Sequence, residues 1–337
     1  MSYWGTGKVA ALPGESGLQP ITETSEGNIY SHSVVALSLV TGELMWAAPL
    51  EPNPRFGHGL EMSPLLVSLE REEGEPLEMV IGAGRAGRII ALDHDSGERI
   101  WEIQLGRQQN LNLRTLPAVD RIQILPGLYG GIASPLAYAD GTLYAAVNHL
   151  PMELTTQAIT EAAATPTPAA QPGPLNEGSS ELIAVDAATG AVLWTVELPA
   201  LNFGGATIVN DLVFTSTVDG GIYAFAAANG DDIWAAQAPE GLLSPPAAAG
   251  DMLVMAAFDS SRPFIFGLRL GLSASTTPMP AITWTPTLTI TPTEALSPAA
   301  PVSRTPTSTP TPLTLPTAVE TETEEPTPLP TTAVPEP

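Results

Sequence analysis

The chain has 337 residues, enough for two domains or one large repeat fold, and its 36 acidic against 12 basic residues give a formal charge of −24. No segment gathers enough cations to hold a polyanion, which excludes nucleic acid and anionic membrane surfaces as expected partners. Cysteine is absent, which removes disulfide frameworks, thiol nucleophiles and thiolate metal sites together, and no apolar run reaches the roughly eighteen residues of a membrane span.

At the start, Met1–Lys8 lacks a charged region leading into an apolar core, so no export signal is expected there. Tyr3–Gly7 then reads as a strand that begins inside a larger repeat. Val34–Trp46 (VVALSLVTGELMW) is the first of four related segments. Ser63-Pro64 opens the next strand, and the acidic run Glu70–Glu78 reads as a solvated hairpin tip. The second copy is Ile89–Trp101 (IIALDHDSGERIW). Ser134-Pro135 and Ala139-Asp140-Gly141 open another hairpin, and an Ala/Thr/Pro-rich stretch, 153–180, is expected to be an insertion loop without regular structure. The third and fourth copies are Leu182–Trp194 (LIAVDAATGAVLW) and Ile222–Trp234 (IYAFAAANGDDIW), with Gly204-Gly205 and Asn210-Asp211 marking the strands and turn between them. Ser244-Pro245, Met252–Phe258 and Pro263–Leu270 start a fifth unit that never reaches its Gly or Trp. Residues 271–337 hold 15 prolines and 19 threonines among 67 positions, too little apolar surface to offset the entropy of ordering, so they are expected to form a disordered tail.

In all four copies Ala is third, Gly ninth and Trp thirteenth, and four of the six tryptophans occupy that last position. Each copy predicts two strands around a tight turn, with Gly where a positive φ is needed. With the hairpin before it, each repeat becomes four antiparallel strands. Helical periodicity is nowhere sustained. The expected fold is therefore all-β: a β-propeller of four nearly complete four-stranded blades and a partial fifth in residues 1–270, forming an open arc or partial propeller. Each repeat tryptophan should be buried against an adjacent blade.

The best copies read AxDxx(S/T)GxxxW, from Ala91 to Trp101 and from Ala184 to Trp194, and this resembles the repeat of quinoprotein alcohol dehydrogenases. Tyr3–Gly7 with Asn28–Ser31, Met79–Asp93 and Asn202–Trp234 are similar to further segments of that family, in the same order. The resemblance implies a propeller that holds pyrroloquinoline quinone (PQQ) and calcium at its axis, seen here from about halfway along. Where the family places a metal-ligating asparagine this chain has Lys8, and where it places a catalytic aspartate the stretch Arg55–Glu61 has none. The catalytic and metal positions are therefore expected to be empty of their usual residues, with His58 and Glu61 as the remaining acid/base candidates. Calcium is not expected. Arg85, in Gly84-Arg85-Ala86-Gly87, falls where the resemblance implies a basic contact to the quinone, and it equally fits an exposed turn arginine.

That glycine-rich loop also matches GxGxxG by letter, but a strand follows it, not a helix, which excludes a dinucleotide site. Two functions fit the residues. The first is a non-catalytic PQQ-repeat module for binding or scaffolding at the cell surface, outside the cytoplasm, that associates with itself or with a chain completing the propeller. The alternative is a PQQ-dependent alcohol dehydrogenase, divergent or represented by its C-terminal half.

Overall fold

A computed structural model describes residues 1–7, 30, 32–50, 58–60, 62–71, 74–111, 121–155, 171–258 and 263–269. Their regular structure is almost wholly β, organised as five successive blades. The first blade contains β1 (Ser2–Gly5), β2 (Ser33–Leu37) and β3 (Leu44–Pro49), and the second contains β4 (Leu65–Leu69), β5 (Leu77–Ala83), β6 (Arg88–Asp93) and β7 (Arg99–Gln104). After β8 (Arg121–Ile124) and β9 (Gly131–Ile132), the third blade is built from β10 (Ala137–Ala139), β11 (Thr142–His149), β14 (Ser179–Asp186) and β15 (Val192–Leu198), with β9 added along β11. The strands β12 (Met152–Thr155) and β13 (Gln171–Pro172) intervene. The fourth blade is β16 (Ala206–Val209), β17 (Leu212–Ser216), β18 (Gly221–Ala226) and β19 (Asp232–Gln237). The fifth is β20 (Ala247–Ala249), β21 (Met252–Phe258) and β22 (Pro263–Arg269).

The pairing within blades is antiparallel, and in the first four blades it slips by one residue between the third and fourth positions of the repeat, at Ala36/Leu37, Ala91/Leu92, Ala184/Val185 and Ala224/Phe225. The shared bulge follows from the shared sequence: the same turn and the same small Ala recur in every copy. Alternation then divides each blade between its neighbours. In the second blade Ile90 and Leu92 pack towards the first, while Ile89 and Ala91 pack towards the third. In the third, Ile183 and Val185 join the second, and Leu182 and Ala184 join the fourth. Four cores thus lie between five blades. Each blade depends on its neighbours because both of its faces are apolar.

Among the described residues the first and fifth blades have three strands each, and the second, third and fourth have at least four. One expectation needs correction. The stretch 153–180 contains regular structure: β12 pairs with β8 on one side and with β13 on the other in a separate three-stranded sheet, Leu175–Glu177 forms a 3-10 turn, and β14 begins at Ser179. Ile124 and Met152, both buried, give that sheet its own small core, which composition alone concealed. Residues 156–170 and 271–337 lie outside the described residues. Among the described residues no apolar core joins the fifth blade to the first as the four cores join successive blades, so the series is a partial propeller.

The repeat tryptophans carry a common joint. Trp46 Nε1 donates to the His94 carbonyl at 3.2 Å, Trp101 to Ala187 at 3.0 Å, and Trp194 to Ala227 at 2.9 Å. Each acceptor is the sixth residue of the next copy. Each indole also lies against the ninth-position glycine of that copy, where a Cβ would fall within 3 Å of the ring at Gly97, Gly190 and Gly230. All three glycines have positive φ, so the position excludes side chains twice over. Trp234 departs from the expectation of burial: it is 39% exposed, because the described part of the fifth blade has no corresponding turn to receive it.

Candidate functional site

Of the residues singled out by sequence, the structure brings His58 and Arg85 together over one segment, Leu125–Gly131, between β8 and β9. Arg85 sits in the turn joining β5 to β6. Its backbone N–H donates to the Gly59 carbonyl at 3.2 Å, and its Nη1 donates to the Leu128 carbonyl at 2.6 Å. The guanidinium carbon stands 5.9 Å from the centre of the Tyr129 ring, within cation–π range. Arg85 is only half-buried, but it is not a freely exposed turn residue.

His58 is buried, and its Nε2 lies 2.8 Å from the Pro126 carbonyl, a geometry in which Nε2 carries the proton. Burial holds its pKa below the ordinary histidine value. The carbonyls of Pro126 and Gly127 oppose that shift and the nearby Arg85 charge adds to it. Neutral His58 is thus the favoured form. Gly131 makes the approach sterically feasible: it has φ +65°, and a Cβ there would fall 1.8 Å from the Arg85 carbonyl oxygen. Ile132 N–H donates to the Gly84 carbonyl, and Gly127 N–H to the Leu150 carbonyl, fixing the segment at both ends.

Lys8 and Glu61 lie outside the described residues. Among the described residues no three His, Asp or Glu side chains converge as a metal-holding group. Among the described residues the groups around Arg85 are carbonyls, its own guanidinium, the Tyr129 ring and one imidazole, and by themselves these do not make the oxygen-rich cage of a hard dication. What they can do is grip a peptide segment.

Sequence reasoning missed two buried polar groups. Asn148 and Asn202 join the third and fourth blades: Asn148 Nδ2 donates to the Asn202 carbonyl at 2.9 Å, and Asn202 N–H donates to Asn148 Oδ1 at 2.7 Å. Asn202 Nδ2 continues to Thr215 Oγ1, and its Oδ1 accepts from Gly205 N–H. His149 and Glu181 face each other at 3.1 Å, with side chains 4% and 14% exposed. His149 Nδ1 accepts weakly from Arg107 N–H at 3.4 Å. Neither pair has a local motif, since Asn148 on β11 meets Asn202 in the β15–β16 connection and His149 on β11 meets Glu181 on β14. Their only signal was polarity inside apolar strand patterns.

Two family models match this geometry. Residues 21–108 match the model described as the β-propeller domain of glucose, ethanol and alcohol dehydrogenases, and residues 178–265 match that of outer membrane protein assembly factor BamB. The chain is a β-propeller of PQQ-like repeats, similar to the quinoprotein alcohol dehydrogenases. A quinoprotein ethanol dehydrogenase of Pseudomonas putida is 25% identical over 65% of this chain and 40% of its own length. A quinoprotein alcohol dehydrogenase of the same species is 27% identical over 72% of this chain and 44% of its own. The PQQ-repeat chain therefore spans well under half the length of these relatives. Among solved structures, the quinohemoprotein alcohol dehydrogenase of Comamonas testosteroni superposes with a TM-score of 0.59 at 20% identity, covering 76% of this chain and 42% of that one. A europium-containing methanol dehydrogenase gives 0.57 at 19% identity, covering 76% and 48%.

Proposed function

We propose that this PQQ-repeat propeller is a non-catalytic binding or scaffold module working outside the cytoplasm. The observation that carries the reading is the engagement of Arg85. The one side chain in the position of a quinone contact already donates to Leu128 and faces Tyr129 of its own chain. His58, the remaining base candidate, is buried on the Pro126 carbonyl. An extracytoplasmic setting draws on the Thr/Pro-rich composition of 271–337 and on the match to an outer-membrane assembly model. The first and fifth blades, each three-stranded among the described residues, suit completion by a further blade, from another copy or from a partner chain. Among the described residues no helix is long and apolar enough to cross a membrane.

A second reading, a PQQ-dependent alcohol dehydrogenase, draws on the 25% and 27% identity to quinoprotein dehydrogenases over 65% and 72% of this chain. One experiment separates the two. Purified protein supplied with PQQ and Ca²⁺ is assayed for dye-linked oxidation of primary alcohols, and quinone binding is followed by calorimetry. The scaffold reading expects neither turnover nor calcium-dependent quinone binding. Either signal would overturn it in favour of the dehydrogenase.

A further inference from the structure

We propose that the outward face of the fifth blade docks on the first blade of a second copy of this chain, continuing the propeller from one molecule into the next. The pairing register makes the fifth blade a replica of the fourth. The pairs Phe214–Ala224 and Ser216–Ile222 of the fourth correspond to Val254–Gly267 and Ala256–Ile265 of the fifth. In the fourth blade Phe214, Ala224 and Ile222 belong to the core shared with the fifth and are 5%, 1% and 1% exposed. In the fifth the same positions lie on the side away from that core, by strand alternation, and Ile265 is 75% exposed. Met252 shares this side, since a Cβ on Gly267 would fall 2.9 Å from its Cε. The face is thus apolar and mostly small, and its charged residue, Arg269, is paired with Asp251 at 3.1 Å.

The joints inside the chain say what such a face receives: each takes the preceding side of the next blade. Among the described residues the first blade carries a side of that kind that no other blade meets. Its pairs Trp4–Val35 and Ser2–Leu37 match Gly82–Ile90 and Val80–Leu92 of the second blade, where Val80, Ile90 and Leu92 pack on the first. On the first blade Val35 is already covered, whereas Trp4 is 59% exposed and Leu44, opposite Leu37, is 44% exposed. Trp4 is therefore a large apolar knob where the second blade has a glycine, and the fifth blade offers a floor of Ala256 and Gly267 beside Ile265. Exposed tryptophans are the side chains best suited to anchor such a contact. Both halves of the joint lie in this one sequence, which is why a second copy is the occupant. The contact is heterologous, so it closes a ring or extends an array according to the rotation it imposes. A formal charge of −24 on each copy opposes the association, so the apolar faces have to carry it. This joint rests on the reading that the end blades are completed by a further blade. Its test reads mass, not quinone chemistry, so a monomer would sink the joint alone and quinone turnover would sink the non-catalytic reading alone.

Light scattering and sedimentation of the full chain over a dilution series should give the mass of two copies or more, falling towards one on dilution. Raising salt from about 0.1 M to about 1 M shortens the screening length from about 10 Å to about 3 Å and should move that transition to lower concentration. Ile265→Glu and Trp4→Glu, both at exposed positions, should keep the native circular dichroism and run as monomers. Mixed together they should form a one-to-one pair, because the fifth blade of one and the first blade of the other remain intact while the two faces left over are both spoiled. If Trp4→Glu does not fold, Leu44→Glu takes its place on the same face. A native chain that stays monomeric would overturn the joint and assign the face to a different chain. Association that survives both variants, that salt dissolves, or that mixing fails to restore would overturn it as well.

Discussion

The indole of Trp101, on the outermost strand of the second blade, rests against Gly190 in the turn of the third. Its Nε1 donates to the Ala187 carbonyl at 3.0 Å, and a Cβ on Gly190 would lie 2.7 Å from its Cε3. One residue thus supplies the knob and another the absence that receives it. Gly190 has φ +74° as well. Gly190→Ala should therefore destabilise the protein by about 1–3 kcal/mol from backbone conformation alone, with displacement of the indole adding to that. Chemical denaturation followed by tryptophan fluorescence measures it. A cost near zero would mean the joint tolerates a methyl group and does not fix the blade spacing.

The same joint predicts unequal costs for two equivalent residues. Trp194 is 8% exposed, bonded to Ala227 and packed against Tyr144 at 5.8 Å between ring centres. Trp194→Ala should cost about 3–5 kcal/mol. Trp234 occupies the same position of its repeat but is 39% exposed, and Trp234→Ala should cost about 1 kcal/mol or less. Equal losses in the two variants would show that Trp234 has a seat in solution.

How much of this was legible in the sequence depends on the range over which each signal acts. The thirteen-residue unit fixes strand, turn and bulge locally, and so Ala91, Gly97 and Trp101 announce their roles by spacing alone. The blade order followed because each unit needs a neighbour for each apolar face. The first two strands of a blade were less legible, because the repeat defines the last two and the others have no signature of their own. β12 and β13 were hidden in an Ala/Thr/Pro-rich composition that reads as loop, and β8, which pairs with β12, lies far upstream of both. The site was half legible. His58 and Arg85 stood out as chemistry-bearing residues among glycines, but their common partner, Leu125–Gly131, belongs to no repeat and meets them only through the fold.

Asn202 should prove structural and costly. Its side chain satisfies Gly205 N–H and Thr215 Oγ1 in a region with no solvent access, while its backbone N–H and carbonyl meet Asn148. Asn202→Ala strands the buried Gly205 donor and removes the Thr215 partner, at about 1–3 kcal/mol for each group left unsatisfied. The bonds from Asn148 go to backbone atoms of residue 202, which alanine retains, so replacing Asn148 in the Asn202→Ala background should cost about as much as replacing it alone. A large coupling energy in the double-mutant cycle would show that the Asn202 side chain is what positions that backbone.

Acid should weaken the fold through His149. Burial holds its pKa below the ordinary histidine value, against the pull of Glu181, so the folded state favours the neutral ring more than the unfolded chain does. A group shifted in that direction contributes stability that is complete above its unfolded pKa, about 6.5, and is lost as pH falls towards the folded value, because the unfolded state then binds more protons. Between about pH 6.5 and about pH 5 most carboxylates remain ionised, so the loss in this window reports chiefly on histidines. The midpoint of urea unfolding should fall steadily across it. His149→Gln keeps a donor that can reach Glu181, 3.1 Å away in the native pair, but cannot take up the proton, and its unfolding midpoint should fall less steeply over the same range. His58 retains its own share of the slope in that variant, so the expected outcome is a reduction and not its abolition. A slope identical to that of the native chain would show that His149 carries none of the acid sensitivity, and that Glu181 offsets its burial completely.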